Sequence, residues 1–249
     1  MGTMFLDHAA ATIIFGSGLN DMSLLLENIG IAMRLVGRMA FPLYAFSLVQ
    51  GVMWTRDWTR YVMRLAAFAL VSEVPFDLML AGEVWYPQAQ NTIVTLLCGL
   101  ICLRMLEALK KRFGIPVSAA GQRREDKRQA GMESKDETGS KWIGAALALW
   151  VAAASMISAE LLRGDYGAFG VLLIVALYVF RHRPVEQMAA GCLALVLIYG
   201  FGLEVVFAWI AIFLISRYNG ERGRKLGYLP YVFYPAHLLL VWVVGYIIA

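Results

Sequence analysis

Eight ionisable side chains, Asp7, His8, Arg34, Arg38, Glu73, Asp77, Glu204 and His237, stand in or beside long apolar runs of this sequence. A charge near the centre of a bilayer costs about 2.5–3.5 kcal/mol on insertion scales, so such residues face a bundle interior, where they pair or take part in function. Arg34 and Arg38 are four apart in IAMRLVGRMAFPLYAF, and Glu73 and Asp77 are four apart in LVSEVPFDLML, so each pair shares one helix face. An antiparallel hairpin of these two segments puts Arg34 opposite Asp77 and Arg38 nearer Glu73, which predicts cross-helix ion pairs. Such pairs either lock the hairpin in a neutralised state or leave one arginine to hold an anionic or carbonyl group of a substrate. The planar guanidinium fork suits the second task. Pro42 and Pro75 fall beside these charges, and each frees a backbone carbonyl; a packing kink is the ordinary reading of both.

Two of the three histidines lie in apolar segments. His8 follows Asp7 directly, and His237 stands in YVFYPAHLLLVW. A neutral imidazole, titrating at about 6.5, is the natural base for taking a proton from an amine or hydroxyl before acyl transfer. A histidine bonded to a backbone carbonyl is the bland alternative for each. Two histidines without a thiolate partner fall short of the usual zinc ligand set, so no metal is expected. Cys98, Cys102 and Cys192 sit in apolar runs and read as small buried hydrophobes. Gln90, Asn91 and Thr92 begin a helix, where they either cap it or meet an acceptor substrate. Glu204 reads as an interface residue at a helix start.

The elements that must position these residues are membrane helices. Of 249 residues 60% are apolar and only 16% charged, with a mean hydropathy of +0.64, which argues against a soluble domain. The runs approach bilayer length and show no strand-like alternation, so an all-α, polytopic transmembrane bundle is expected. About nine helices are marked, over 4–19, 29–54, 60–80, 91–109, 142–161, 166–180, 185–200, 203–216 and 228–248. The first has no basic leader and reads as a retained helix. Residues 1–111 form an N-terminal four-helix bundle with most of the buried charge, 112–141 a polar cytoplasmic linker, and 142–249 the C-terminal membrane helices. Alternate connections carry Arg56 and Arg60, the basic 110–141 stretch, Arg181 and Arg183, then Arg217, Arg222, Arg224 and Lys225, whereas the opposite side holds only Arg163. Basic loops stay in the cytoplasm, which places the N-terminus inside and the C-terminus outside. Acidic residues interleave with the basic ones of the linker and no aromatics are spaced for stacking, so anionic lipid, not nucleic acid, is its expected partner.

FLDHAA, MRLVGRMAFPLYAFSLVQG, RYVMRLAAFALVSEVPFDLML, QNTIVTLLCGL and YVFYPAHLLLVW occur in an order that resembles the TraX family, over residues 4–112 and 226–243. The resemblance implies a bacterial inner-membrane protein related to the enzyme that N-acetylates conjugative pilin with acetyl-CoA. It carries the family's Asp-His pair onto Asp7 and His8, its helix-two block onto Arg34, Gly37, Arg38, Phe41 and Pro42, its helix-three block onto Glu73, Pro75 and Asp77, and its terminal histidine onto His237. On that basis His8, Asp7, His237 and Arg38 are the expected catalytic residues. Arg34, Arg56, Arg60, Arg64 and Lys110, or the 217–225 cluster, are expected to meet acetyl-CoA. Glu73, Asp77, Gln90 and Asn91 are expected to face the acceptor, a pilin-like protein or an envelope small molecule. A homo-oligomer is left open. Paired charges and kinked helices also build proton-coupled transporters and channels, although no inverted repeat is visible. A non-catalytic assembly subunit is the third reading.

Overall fold

The computed structural model describes residues 1–16, 24–115, 135–221, 227 and 229–248. These are almost wholly helical: α1 Gly2–Ala9 with a π-turn at Ala10–Ile14, α2 Leu24–Gly37, α3 Ala40–Trp54, α4 Trp58–Ala81, α5 Thr92–Phe113, α6 Lys135–Leu161, α7 Gly167–Val179, α8 Pro184–Tyr199, α9 Leu203–Ser216 and α10 Leu229–Ile248. With α2 and α3 taken as halves of one segment, the described residues form nine helical segments, as expected. Most of the linker 112–141 lies outside the described residues, as do Arg222, Arg224 and Lys225; its ends belong to α5 and α6.

The break between α2 and α3 has a local cause. A proline at position 42 cannot donate to the carbonyl of Arg38, and its ring crowds that carbonyl, so the helix stops there and restarts. The backbone at Arg38 and Met39 tightens to Leu35 and Val36 carbonyls at 3.2 Å, and Pro42 falls in the first turn of α3, where an N–H has no helical partner to lose. In α4 the helix continues through Pro75, starts on the Asp57 side chain, which accepts from the Arg60 N–H at 2.9 Å, and ends on left-handed Gly82.

The centre of the bundle is the contact of α5 with α7, flanked by α3, α4, α6 and α8. Leu100, Leu103, Leu173, Ile174 and Leu177 are completely buried there, and Gly99 admits the Ile174 side chain where a Cβ would lie 2.4 Å from it. α1 packs on α2 and α10, and α10 packs on α4, so the two chain ends meet on one flank. The periphery is apolar as well: Leu70 on α4, Leu149 and Trp150 on α6, Phe213 on α9 and Leu240 on α10 are all exposed. An outer surface of this kind is matched by lipid tails rather than water. Leu24–Trp54, Thr92–Phe113, Gly139–Leu161 and Leu229–Ile248 are long and apolar enough to cross a membrane, while α7, α8 and α9 are shorter. The chain is therefore a membrane protein.

The connections sort to two ends. Trp54, Arg181 and Tyr218 border one cavity at the arginine-bearing end, and Gln90 bridges Gly164 at the opposite end. Because Leu103 is fully buried and Leu149 is 75% exposed, Leu103→Ala is expected to cost about 2–5 kcal/mol and lower the thermal midpoint in detergent clearly. Leu149→Ala should leave it nearly unchanged, and paired melting curves check both.

Candidate active site

The first and last helices meet through their histidines. His8 Nδ1 lies 2.8 Å from His237 Nε2, and His237 Nδ1 lies 2.9 Å from the Phe233 carbonyl oxygen. A carbonyl only accepts, so His237 Nδ1 carries the proton and its Nε2, in the neutral ring, is an acceptor. His8 Nδ1 must then donate, which leaves His8 Nε2 with the free lone pair. The bond that looked like a bland alternative for His237 is therefore what sets the tautomer of His8. The imidazole of His237, 4% exposed, is held between Phe233, stacked at 4.9 Å, and Tyr234 at 5.5 Å. A π-turn directly after His8, closed by the Phe15 N–H on the Ala10 carbonyl at 3.1 Å, shifts the register of α1 against α10. There Gly245 lets Thr12 approach, since a Cβ at that position would sit 3.0 Å from its methyl group.

His8 borders a cavity of about 410 Å³, a size suited to a small-molecule ligand. Asp7, Arg34, Arg38, Thr92, Asp165, Tyr166 and Tyr199 share its wall. Arg34 lies 3.6 Å from Asp7, and a glycine at 37 is what lets the helices come this close, because a Cβ there would stand 2.3 Å from the Asp7 Cβ. Arg38 has no carboxylate within ion-pair range among the described residues; its guanidinium carbon lies 5.5 Å above the Tyr199 ring. Asp7 Oδ1, Arg38 Nε and Tyr199 Oη are buried without a hydrogen-bond partner, so the wall offers both donors and an acceptor to a polar occupant. No group of three or more metal-ligating side chains occurs among the described residues.

The expected ion pairs across the Arg34–Asp77 hairpin do not form. Arg34 turns to Asp7 on α1, and the carboxylates of α4 turn to the connection before α5. Asp77, 1% exposed, accepts from the Tyr86 N–H at 2.9 Å. Glu73 accepts from the side-chain amide of Asn91 and from its backbone N–H at 3.4 Å. Asn91 also donates to the Ala69 carbonyl at 2.9 Å and caps α5 through Ile93 N–H at 3.0 Å. A loop whose backbone N–H groups lie in an apolar setting needs acceptors, and these two carboxylates supply them. Glu73, Asp77, Gln90 and Asn91 thus brace the cavity from outside its wall and do not line it. Of the described residues expected to meet the donor, only Arg34 lines the cavity. Arg56 and Arg64 are exposed, Arg60 lies 3.3 Å from Asp57 and Lys110 lies 3.9 Å from Glu107. Glu204 stands in the first turn of α9, where its charge complements the helix dipole.

Asp165, Tyr166 and Tyr199 on the cavity wall went unread in the sequence. The turn before α7 is clamped to the start of α5, with Gln90 N–H on the Arg163 carbonyl at 2.9 Å, Asp165 N–H on the Gln90 carbonyl at 3.1 Å and Thr92 Oγ1 donating to Asp165 Oδ2 at 2.7 Å. Tyr166 then stacks on Phe41 at 3.6 Å. The available signal was a lone carboxylate between two glycines, GDYG, in a short connection whose other charge is Arg163.

Fold and site together define a polytopic membrane protein whose first and last helices join two histidines beside an arginine-bearing cavity. The TraX protein family matches residues 1–245, and the chain belongs to that family. It is also similar to the probable fimbrial assembly protein FimC, serogroup H1, of Dichelobacter nodosus, at 24% identity over 96% of this chain and 89% of that protein. No solved structure matches. Gly37→Ala forces α1 away from α2 and is expected to lower the thermal midpoint together with any His8-dependent activity. Gly139→Ala, with open space around its Cβ position, should change neither.

Proposed function

We propose that this protein is an acetyltransferase of the bacterial inner membrane that moves an acetyl group from acetyl-CoA to an amine or hydroxyl of a pilin-like protein or an envelope acceptor. The observation that carries the reading is His8 with its free Nε2 lone pair on the same cavity wall as Arg38, which has no carboxylate within ion-pair range among the described residues. The name of the D. nodosus relative, a probable fimbrial assembly protein, supports an acceptor of the pilin type. The arginine-bearing end faces the cytoplasm, where acetyl-CoA is available, which puts the C-terminus outside.

In this mechanism the acceptor N–H or O–H gives its proton to His8 Nε2 while its heteroatom attacks the thioester carbonyl. Arg38 meets the negative charge that develops on the carbonyl oxygen. The C–S bond breaks, and the leaving thiolate takes the proton back from His8. A route through an acetylated His8 uses the same nitrogen as nucleophile. His237 positions: its Nε2 accepts from His8 Nδ1 and steadies the charge on the ring when Nε2 is protonated. Asp7 and Arg34 neutralise each other beside it.

Release of CoA from acetyl-CoA by the purified protein, with amine and sugar acceptors, tests the reading. His8→Ala is expected to lower turnover by about 10²–10⁴-fold, the usual contribution of a positioned base. His237→Gln, which keeps an acceptor near the Nε2 position, should recover more turnover than His237→Ala. A folded wild-type sample with no acetyl-CoA-dependent signal would transfer the same buried charges to the transporter reading.

A further inference from the structure

A second cavity, of about 550 Å³, opens at the arginine-bearing end between Gln50 and Trp54 of α3, Arg181 and His182 of the α7–α8 connection, and Tyr218 after α9. No carboxylate lines it among the described residues. Arg181 is held in place: its Nη1 donates to the Tyr178 carbonyl at 2.7 Å, and its guanidinium carbon lies 4.1 Å from the Tyr178 ring centre. Its Nε is buried with no acceptor. The first turn of α8 adds to the positive potential, because Pro184 opens it, no side chain caps it, and both Pro184 and Gln187 border the cavity. The one acid of that turn, Glu186, lies 3.7 Å from Arg183. Opposite these groups stands the half-exposed indole of Trp54, a flat surface for a heteroaromatic ring. The wall therefore joins a fixed, partly unsatisfied cation to an aromatic plate, the combination that takes a phosphoester anion carried on a base.

This cavity and the one beside His8 lie against the same two helices. α3 contributes Phe41 and Tyr44 to the inner cavity and Gln50 and Trp54 to the outer one, while α8 contributes Ile198 and Gln187 in turn. Gln187 and Ile198 are roughly 16 Å apart along α8 at about 1.5 Å per residue. We infer that the cavity at the arginine-bearing end binds the phosphorylated nucleotide end of the acyl donor, with Arg181 on its phosphates and Trp54 on its base, so that the thioester arm runs inward along α3 and α8 to His8. This rests on the acetyltransferase reading for the direction of the arm, not for the cavity's ligand chemistry. It assigns the phosphates to Arg181 in place of Arg56, Arg60, Arg64 and Lys110, none of which borders the cavity. A lipid headgroup offers the same phosphate, but the polar side chains of Gln50, Gln187 and Ser216 on this wall suit a nucleotide better than acyl chains.

The test is equilibrium binding of CoA, and of adenosine bisphosphate as its nucleotide end without the arm, to the full-length protein in phosphatidylcholine nanodiscs. Arg181→Ala and Trp54→Ala are expected to weaken both probes by about tenfold, the loss of one charge-assisted or stacking contact. Arg64→Ala should leave them unchanged. In turnover the same two variants should raise KM for acetyl-CoA and leave kcat in place, the signature of lost uniform binding. Trp54 is half exposed, so Trp54→Ala reports even if Arg181→Ala fails to fold. Unchanged binding in the folded variants overturns the assignment. So does the result that Arg181 retains phosphatidylglycerol in mixed nanodiscs while CoA does not bind. Binding by a wild-type protein that releases no CoA supports this site and removes the transferase reading.

Discussion

The hydrogen bond from His8 to His237 joins the two ends of the chain, and the chemistry of the cavity depends on it. A lone imidazole in an apolar bundle chooses its tautomer by whatever partner is nearest. Here the choice is forced in sequence, from the Phe233 carbonyl to His237 Nδ1, from His237 Nε2 to His8 Nδ1, and so to a free lone pair on His8 Nε2. The π-turn after His8, the close approach at Gly37 and the packing of α10 on α4 all serve to hold this register.

Around that bond the buried charges divide into two classes. Asp77 and Glu73 each hold one carboxylate oxygen on loop backbone or Asn91, and Asp7 lies against Arg34, while the second oxygens of Asp77 and Glu73 are buried without a hydrogen-bond partner. These contacts offset part of the desolvation of the three carboxylates and shape the scaffold. Arg38 is different, because the proline at 42 ends the helix at its carbonyl and its guanidinium, over the face of Tyr199, has no carboxylate within ion-pair range among the described residues. A cation left in that state in a low-dielectric cavity attracts an oxygen that carries or develops negative charge. The same region receives Asp165 and Tyr166 from the short turn clamped onto the start of α5, so that α1, α2, α3, α4, α5, the turn before α7 and α8 all contribute to one wall. The helices on either side of the residue 116–134 stretch are thus needed together.

Much of this was legible beforehand. The nine apolar segments, the sorting of arginines to alternate connections and the family strings were all readable, because hydropathy and residue type act locally and survive without knowledge of neighbours. The prominence of Asp7, His8, Arg34, Arg38 and His237 was readable for the same reason: charge among apolar residues is conspicuous in one dimension. The pairing of Arg34 with Asp77 was misread. Adjacent helices made the hairpin the obvious partner, whereas the carboxylates of α4 were already taken by backbone N–H groups of the loop that follows. Asp165 and Tyr199 were passed over because each is ordinary for its place in the chain, one in a turn and one at a helix end.

By itself, then, the amino-acid order determined that this protein is a helical membrane bundle of the TraX family and which residues carry charge into it. Only the tertiary structure decided which of those residues meet, which histidine keeps a free nitrogen and which cavity arginine has no carboxylate within ion-pair range among the described residues. The physical reason is that a tautomer and an ion pair are set by contacts a few ångströms long between groups as far apart in the chain as the 229 positions separating His8 from His237.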